Sequence, residues 1–296
     1  MQITQAELLV DARARLGEGA LWDDRSQSFF WTDIEGSTLS RWREGEPVRV
    51  WPLPDRVGSM ALCEQVDQLL IGLAKGVALF NLATGAISTV VPVEADNPDT
   101  RINDGRCDPQ GRFVFGMYHR AETAGGGFWR VGPDLAVERL PLPLAAVANS
   151  LCFSPDGRWM YVTDTPSRTI HRREYFADGR IGEPEVFARL SEADGYPDGS
   201  CVDAEGGVWN ARWQGRAVVR YSAAGEITDR VELPAAHVTC PAFGGPALDR
   251  LFITSARAGL DAAALAAQPL AGGVFSARPP GRRGLAERRF RTALTV

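Results

Sequence analysis

The chain has 296 residues, 45% of them hydrophobic, with a formal net charge of −5 and a pI near 5.4. That length allows one large domain or two ordinary ones, and the apolar fraction supports a sizeable core rather than disorder. A mildly acidic chain without a long basic run argues against a nucleic-acid surface, and no apolar run approaches the ~18 residues of a membrane span.

The start, "MQITQAELLVDARARLG", has no apolar stretch behind a basic beginning, so it does not read as a signal peptide. The expectation is a soluble, cytoplasmic protein, a monomer or small homo-oligomer, with neither nucleic acid nor membrane as partner. Within that start, "AELLVDAR" reads as a strand. Next comes "RLGEGALWDD" (15–24), where Glu18 stands between two glycines ahead of an apolar run. Glycine permits a sharp turn and close approach, and a carboxylate entering a packed strand needs a partner.

Three later segments align with one another: "FFWTDIEGSTLSRW" (29–42), "MYVTDTPSRTIHRR" (160–173) and "VWNARWQGRAVVRY" (208–221). Each is an apolar strand, a polar turn and a second strand. Turn-forming Asp, Pro and Gly precede many such units, in "LWDDRSQS", "CDPQGRF", "FSPDGRW" and "VDAEGGV". With the unit that follows "CDPQGRF", two weaker units, "LCEQVDQLLIGLAKGVALFNLATG" and "FGGPALDRLFITSARAG", bring the number to six. The five cysteines, Cys63, Cys107, Cys152, Cys201 and Cys240, repeat the same spacing and contain no CxxC pair. They read as small buried residues recurring in successive units rather than as a disulfide or thiolate-metal framework. The clearest helical pattern is "GLDAAALAAQPL" (259–270), and Pro269 ends it.

Short strands in units of ~40–50 residues predict an all-β, six-bladed β-propeller occupying residues 1–296 as one domain. The ring closes if the strand in "AELLVDAR" completes the blade built from "GGVFSAR"; an all-β sandwich pair is the competing architecture, but it leaves the repeat unexplained. The basic stretch "RPPGRRGLAERRFR" near the end reads as a solvated terminal segment.

In a propeller the innermost strands converge on a central channel. Polar residues at the starts of such strands are therefore the candidates for a site: Glu18, Asn103 and Asp104 in "TRINDGRCD", Asn149 in "AVANSLCFS", and Asp198 in "GYPDGSCVD". Asn149 and Asp198 each stand three residues before a cysteine, as does Asp104, with Asn103 one position earlier. Oxygen-only donors suit a hard divalent cation, with calcium, magnesium or manganese favoured over zinc or iron(II). Each of these residues could instead cap a turn. No Gly-x-Ser-x-Gly elbow is present, and "AGGGFW" (124–129) lacks the Gly-Lys-Ser/Thr of a phosphate loop. Trp213 and Tyr118 fit either the channel mouth, stacked on a sugar face, or ordinary packing.

At these residues the chain resembles the SMP-30/gluconolactonase family of regucalcin-like lactonases. The resemblance runs over roughly residues 11–257 and is carried by "LGEGALWD", "RINDGRCDPQGRF", "NSLCFSPDGR", "YVTDT", "GYPDGSCVDAEGGVWNARW" and "CPAFGG". It implies a six-bladed propeller with one divalent metal in its channel, held by Glu18, Asn149 and Asp198. It also implies substrate binding by Arg101 and Asn103, and Asp198 as general base in the hydrolysis of a sugar (aldono-) lactone. The segment "FVFGMYHRAETAGGGFW" departs from the family pattern: Ala121 stands where some members carry a substrate-contacting glutamate. His119 or the neighbouring Glu122 is then the candidate replacement. An aryl-ester or phosphotriester hydrolase on the same metal site, and a non-catalytic calcium-binding propeller, are the alternative readings.

Overall fold

Apolar and aromatic runs separated by Asp-rich turns fold here as successive antiparallel sheets. The turns are held by their own side chains. Asp108 Oδ1 accepts from the amides of Gln110 and Arg112, and Asp203 Oδ1 accepts from those of Glu205 and Gly207. These self-bonding turns repeat at blade spacing and return each first strand against the second.

The computed structural model describes residues 1–292, and the sheets are arranged as a six-bladed β-propeller. The innermost strands of blades 1 to 6 are Gly17–Asp23, Val57–Leu62, Thr100–Cys107, Ala148–Phe153, Tyr196–Val202 and Val238–Gly244. They contact one another in a closed ring. Strand Glu7–Val10 pairs antiparallel with Val274–Ala277, so the N-terminal segment supplies the outer strand of blade 6. Strand Gln2–Gln5 lies parallel to Ile227–Glu232 and adds a fifth strand to blade 5. Among the described residues the one α-helix is Ala262–Ala267, capped by Asp261, whose side chain accepts from the Ala264 amide.

The core is divided in the same way. Six apolar clusters sit one at each seam between neighbouring blades, for example Leu21 and Phe30 of blade 1 against Met60 and Ile71 of blade 2. All five cysteines are buried and unpaired. Their regular spacing is only partly one repeated position. Cys152 and Cys201 share a place three residues beyond Asn149 and Asp198, but three residues beyond Asn103 stands Arg106.

The C-terminal basic segment is only partly solvated: Arg278, Arg283 and Arg291 are exposed, but the segment packs along the propeller. It crosses the ends of the inner strands and touches every blade. Gly284 N donates to Leu248 O, Arg283 O accepts from Ala204 N, and Arg288 donates to Ser154 O. Further on, Arg291 N donates to Gly111 O, Phe290 N to Leu62 O, and Arg289 pairs with Asp23 and Asp24. The arginines are spaced to meet acidic groups and carbonyls on the propeller rim, while Phe290 is fully buried between them. Charge density alone suggested solvent because it does not register how many partners the rim offers.

Candidate functional site

Every innermost strand carries a one-residue register shift against its neighbour, between Glu18 and Leu21, Ile102 and Gly105, Asn149 and Cys152, and Pro197 and Ser200 in the blades with polar residues there. A bulge re-aims side chains and sharpens local twist. Here it falls where the strands enter the channel, and it turns Glu18, Asn103, Asn149 and Asp198 into one cavity of about 760 Å³. Both glycines beside Glu18 have a physical reason. A Cβ on Gly17 would meet Ser255 O at 2.6 Å, and Gly19 holds a φ of +61°. Ser150, which follows Asn149, adopts the matching left-handed conformation at φ 63° and is tied down by its hydroxyl to Asp198 O at 2.7 Å.

A hydrogen-bond chain runs around the channel wall. Arg101 Nη1 donates to Asn103 Oδ1 at 2.6 Å, Asn103 Nδ2 donates to Asn149 Oδ1 at 3.2 Å, and Asn149 Nδ2 donates to Thr165 Oγ1 at 2.9 Å. Thr165 in turn donates to Pro197 O at 2.9 Å. The chain orients both amides, tying the Asn149 nitrogen to blade 4 and keeping its oxygen as an acceptor. Arg101 lies over the Tyr118 ring at 4.4 Å, and burial pushes its guanidinium down to about 10. Behind Asp198, the buried Asn210 donates to Asp198 O at 2.9 Å and fixes the strand that carries the carboxylate.

Glu18 and Asp198 are both buried, and both line the cavity. Burial pushes both carboxyls well above the usual carboxylate range. Repulsion adds to it, from Asp198 and Asp104 on Glu18 and from Asp104 on Asp198. Two desolvated acids side by side share a proton or require a cation. Asp198 Oδ1 is buried with no hydrogen-bond partner, which is costly unless something positive or protic meets it. Among the described residues no three His, Cys, Asp or Glu side chains form a metal-holding group. The donors that fit a hard cation are instead two carboxylates and the Asn149 amide oxygen, an all-oxygen set.

The sequence-derived residues separate accordingly. Glu18, Arg101, Asn103, Asn149 and Asp198 come together in the one cavity. Asp104 turns from the cavity wall to accept from the Leu151 amide at 2.8 Å, and burial raises it to about 6. His119 is not on the cavity wall: its ring packs against Gly125, and Nδ1 meets the Thr123 hydroxyl at 3.4 Å. The glycine run that follows it leaves that space open, so the imidazole folds back on its own loop. Glu122 does line the cavity, with a φ of 51°. Sequence reasoning missed Thr165 and Asn210, although Thr165 belongs to "YVTDT" and Asn210 to "GGVWNARW", both quoted motifs. Their signal was a polar residue inside a strand or turn next to an expected ligand.

The sequence pattern of the SMP-30/Gluconolactonase/LRE-like region family matches residues 16–257. The chain is 49% identical over 290 residues to an L-arabinolactonase of Azospirillum brasilense, covering 97% of this chain and 95% of the relative. It is 35% identical to a 6-deoxy-6-sulfogluconolactonase of Pseudomonas putida, covering 89% and 91%. A solved structure of a calcium-binding protein, regucalcin, from Agrobacterium tumefaciens superposes with a TM-score of 0.92 at 33% identity, covering 98% of this chain and 99% of that one.

Proposed function

Since the chain belongs to the SMP-30/gluconolactonase family, we propose that it hydrolyses an aldonolactone to the aldonic acid with the help of one divalent cation, and that a pentonolactone such as L-arabinonolactone is its preferred substrate. A sugar lactonase, a hydrolase of a cyclic carboxylic ester, is the enzyme class of this chain. The preference for a pentonolactone rests on similarity to relatives named for that chemistry.

The observation that carries the reading is the bare Asp198 Oδ1 beside Glu18, in a cavity that also holds Arg101 and Asn103. Glu18, Asn149 and Asp198 would hold the cation, calcium being the first choice for oxygen donors. Bound there, a divalent cation supplies Lewis-acid polarisation of an ester carbonyl and makes a neighbouring water more acidic. Asp198 takes the proton of the attacking water as its oxygen bonds to the lactone carbonyl carbon. The ring C–O bond then breaks, and the proton passes to the departing ring oxygen, which becomes a hydroxyl of the open acid. Positive charge beside Asp198 favours its ionised form and opposes the effect of burial. Arg101, locked between Asn103 and Tyr118, orients the substrate hydroxyls with Asn103.

The test is to strip the protein with chelator and follow acid release from a panel of aldonolactones above the uncatalysed rate. Calcium, magnesium, manganese, zinc and iron(II) are then added back singly. Activity lost on stripping and restored by one cation supports the reading. Hydrolysis unchanged after verified removal sinks the cation's role, and no hydrolysis with any cation sinks the lactonase assignment.

A further inference from the structure

Three aromatic rings line the cavity: Tyr118, Tyr196 and Trp213. Each has a neighbour stacked on it, and the neighbours differ. Tyr118 carries the Arg101 guanidinium at 4.4 Å, and Tyr196 carries that of Arg168 at 4.1 Å. Trp213 carries the imidazole of His237, with ring centroids 3.9 Å apart and planes 11° from parallel. His237 is itself clamped. It is buried, its Nδ1 meets Ala258 O at 2.9 Å, and its backbone bridges to that of Trp213 across the seam between blades 5 and 6. A cation over a ring already engages the ring's negative face. A flat imidazole fixes the indole plane without placing a full charge on it, and burial holds His237 below its ordinary value and hence neutral near pH 7.

We infer that Trp213 is the wall on which the C–H face of the lactone ring packs, and that His237 is the positioning residue that holds this wall in place. The inference rests on the lactone-hydrolysis reading and names the surface that selects a sugar ring within it. Carbohydrate rings present polarised C–H groups on one face and hydroxyls at the edge. An indole receives the first. Arg101 and Asn103, on blade 3, receive the second. With its plane set by His237, the indole offers a preorganised surface, so little ordering is needed on binding. Residues Ala258 and Gly259, also on the cavity wall, carry the carbonyl and the turn that keep the imidazole behind the indole.

The experiment compares wild type with Trp213→Ala, Trp213→Phe, His237→Ala and His237→Phe. Two quantities are read: KM and kcat on the preferred pentonolactone, and calorimetric affinity for the matching pentonolactam, whose ring NH replaces the ester oxygen. Trp213→Ala is expected to raise KM and weaken lactam binding about ten-fold with kcat changed much less, and Trp213→Phe to recover most of both. His237→Ala is expected to shift both in the same direction by a few-fold, with rescue by the flat ring of His237→Phe. Lactam affinity and KM unchanged in Trp213→Ala, or a fall confined to kcat, overturns the wall while leaving lactonase activity intact. If Trp213→Ala does not fold, His237→Ala and Trp213→Phe decide: unchanged values in His237→Ala overturn the positioning role. A wild type that hydrolyses no aldonolactone overturns the functional reading itself, and the wall with it.

Discussion

Asn103 and Arg106 stand three residues apart on one inner strand, yet they line opposite ends of the channel. Toward the start of the strands lie Glu18, Asp198 and Asp104, whose carboxyls are buried and raised. Toward the other end, Arg106 meets Glu287 of the C-terminal strap at 2.5 Å, both side chains nearly buried. Burial alone would lower the Arg106 guanidinium, but Glu287 overrides it and holds it above its ordinary value. The first end has excess negative charge and an unpartnered oxygen; the second has its charges matched. A protein can tolerate unmatched buried charge where a ligand supplies the balance, and elsewhere it closes the account internally. The contrast separates a binding end from a structural one, although both are built on the same six strands.

The largest effect should come from the unmatched end. Asp198→Asn is expected to lower kcat by about 10³-fold, since it removes the proposed proton acceptor while keeping the shape. Its thermal unfolding without added cation should be no lower than wild type, because one of two repelling buried acids is gone. A kcat within a few-fold of wild type would remove Asp198 from the mechanism. At the matched end, Glu287→Ala should cost about 3–5 kcal/mol in denaturant unfolding by stranding the Arg106 charge. Replacing both partners by apolar residues should recover most of that loss. If the single and double variants unfold alike, the ion pair does not close this end.

Thr165→Val should weaken cation affinity about ten-fold, because it frees the Asn149 amide from its second partner. Titration with the activating cation checks this, and unchanged affinity would show that the amide needs no such support. The smallest effect is one of pH. The Asp104 carboxyl is raised from 3.8 to about 6 by burial, so the folded state binds a proton that the unfolded state has already lost. Its stabilising contribution is present below about pH 4 and lost as pH rises toward about 6. The difference in unfolding free energy between wild type and Asp104→Asn, measured without added cation, should shift across that window. A difference flat with pH would mean that folding leaves the Asp104 carboxyl unshifted.

Much of this was legible in residues 15–24, 100–108, 146–154 and 195–203. Turn residues and strand formers recur at blade spacing, and spacing is a property of the chain alone. Placing Glu18, Asn103, Asp104, Asn149 and Asp198 near one axis followed from the repeat, since corresponding strand starts of a closed ring converge, whereas the choice of Glu18, Asn149 and Asp198 as ligands came from the family resemblance. Where the His119 ring points was not legible, because it depends on how the loop packs at Gly125, outside the cavity wall. The strap was misread because the partners of Arg282, Arg288 and Arg289 lie on three blades distant in sequence.

The sequence by itself determined the blade, its turn chemistry and the polar residues at four of the inner-strand starts, because these depend on local propensity and periodicity. Only the tertiary structure decided which carboxyls lose water together, which oxygen is left bare, and which aromatic ring is held by a neutral partner. Those properties arise from closure of the ring, which brings side chains from different blades within a few ångströms and removes the solvent between them.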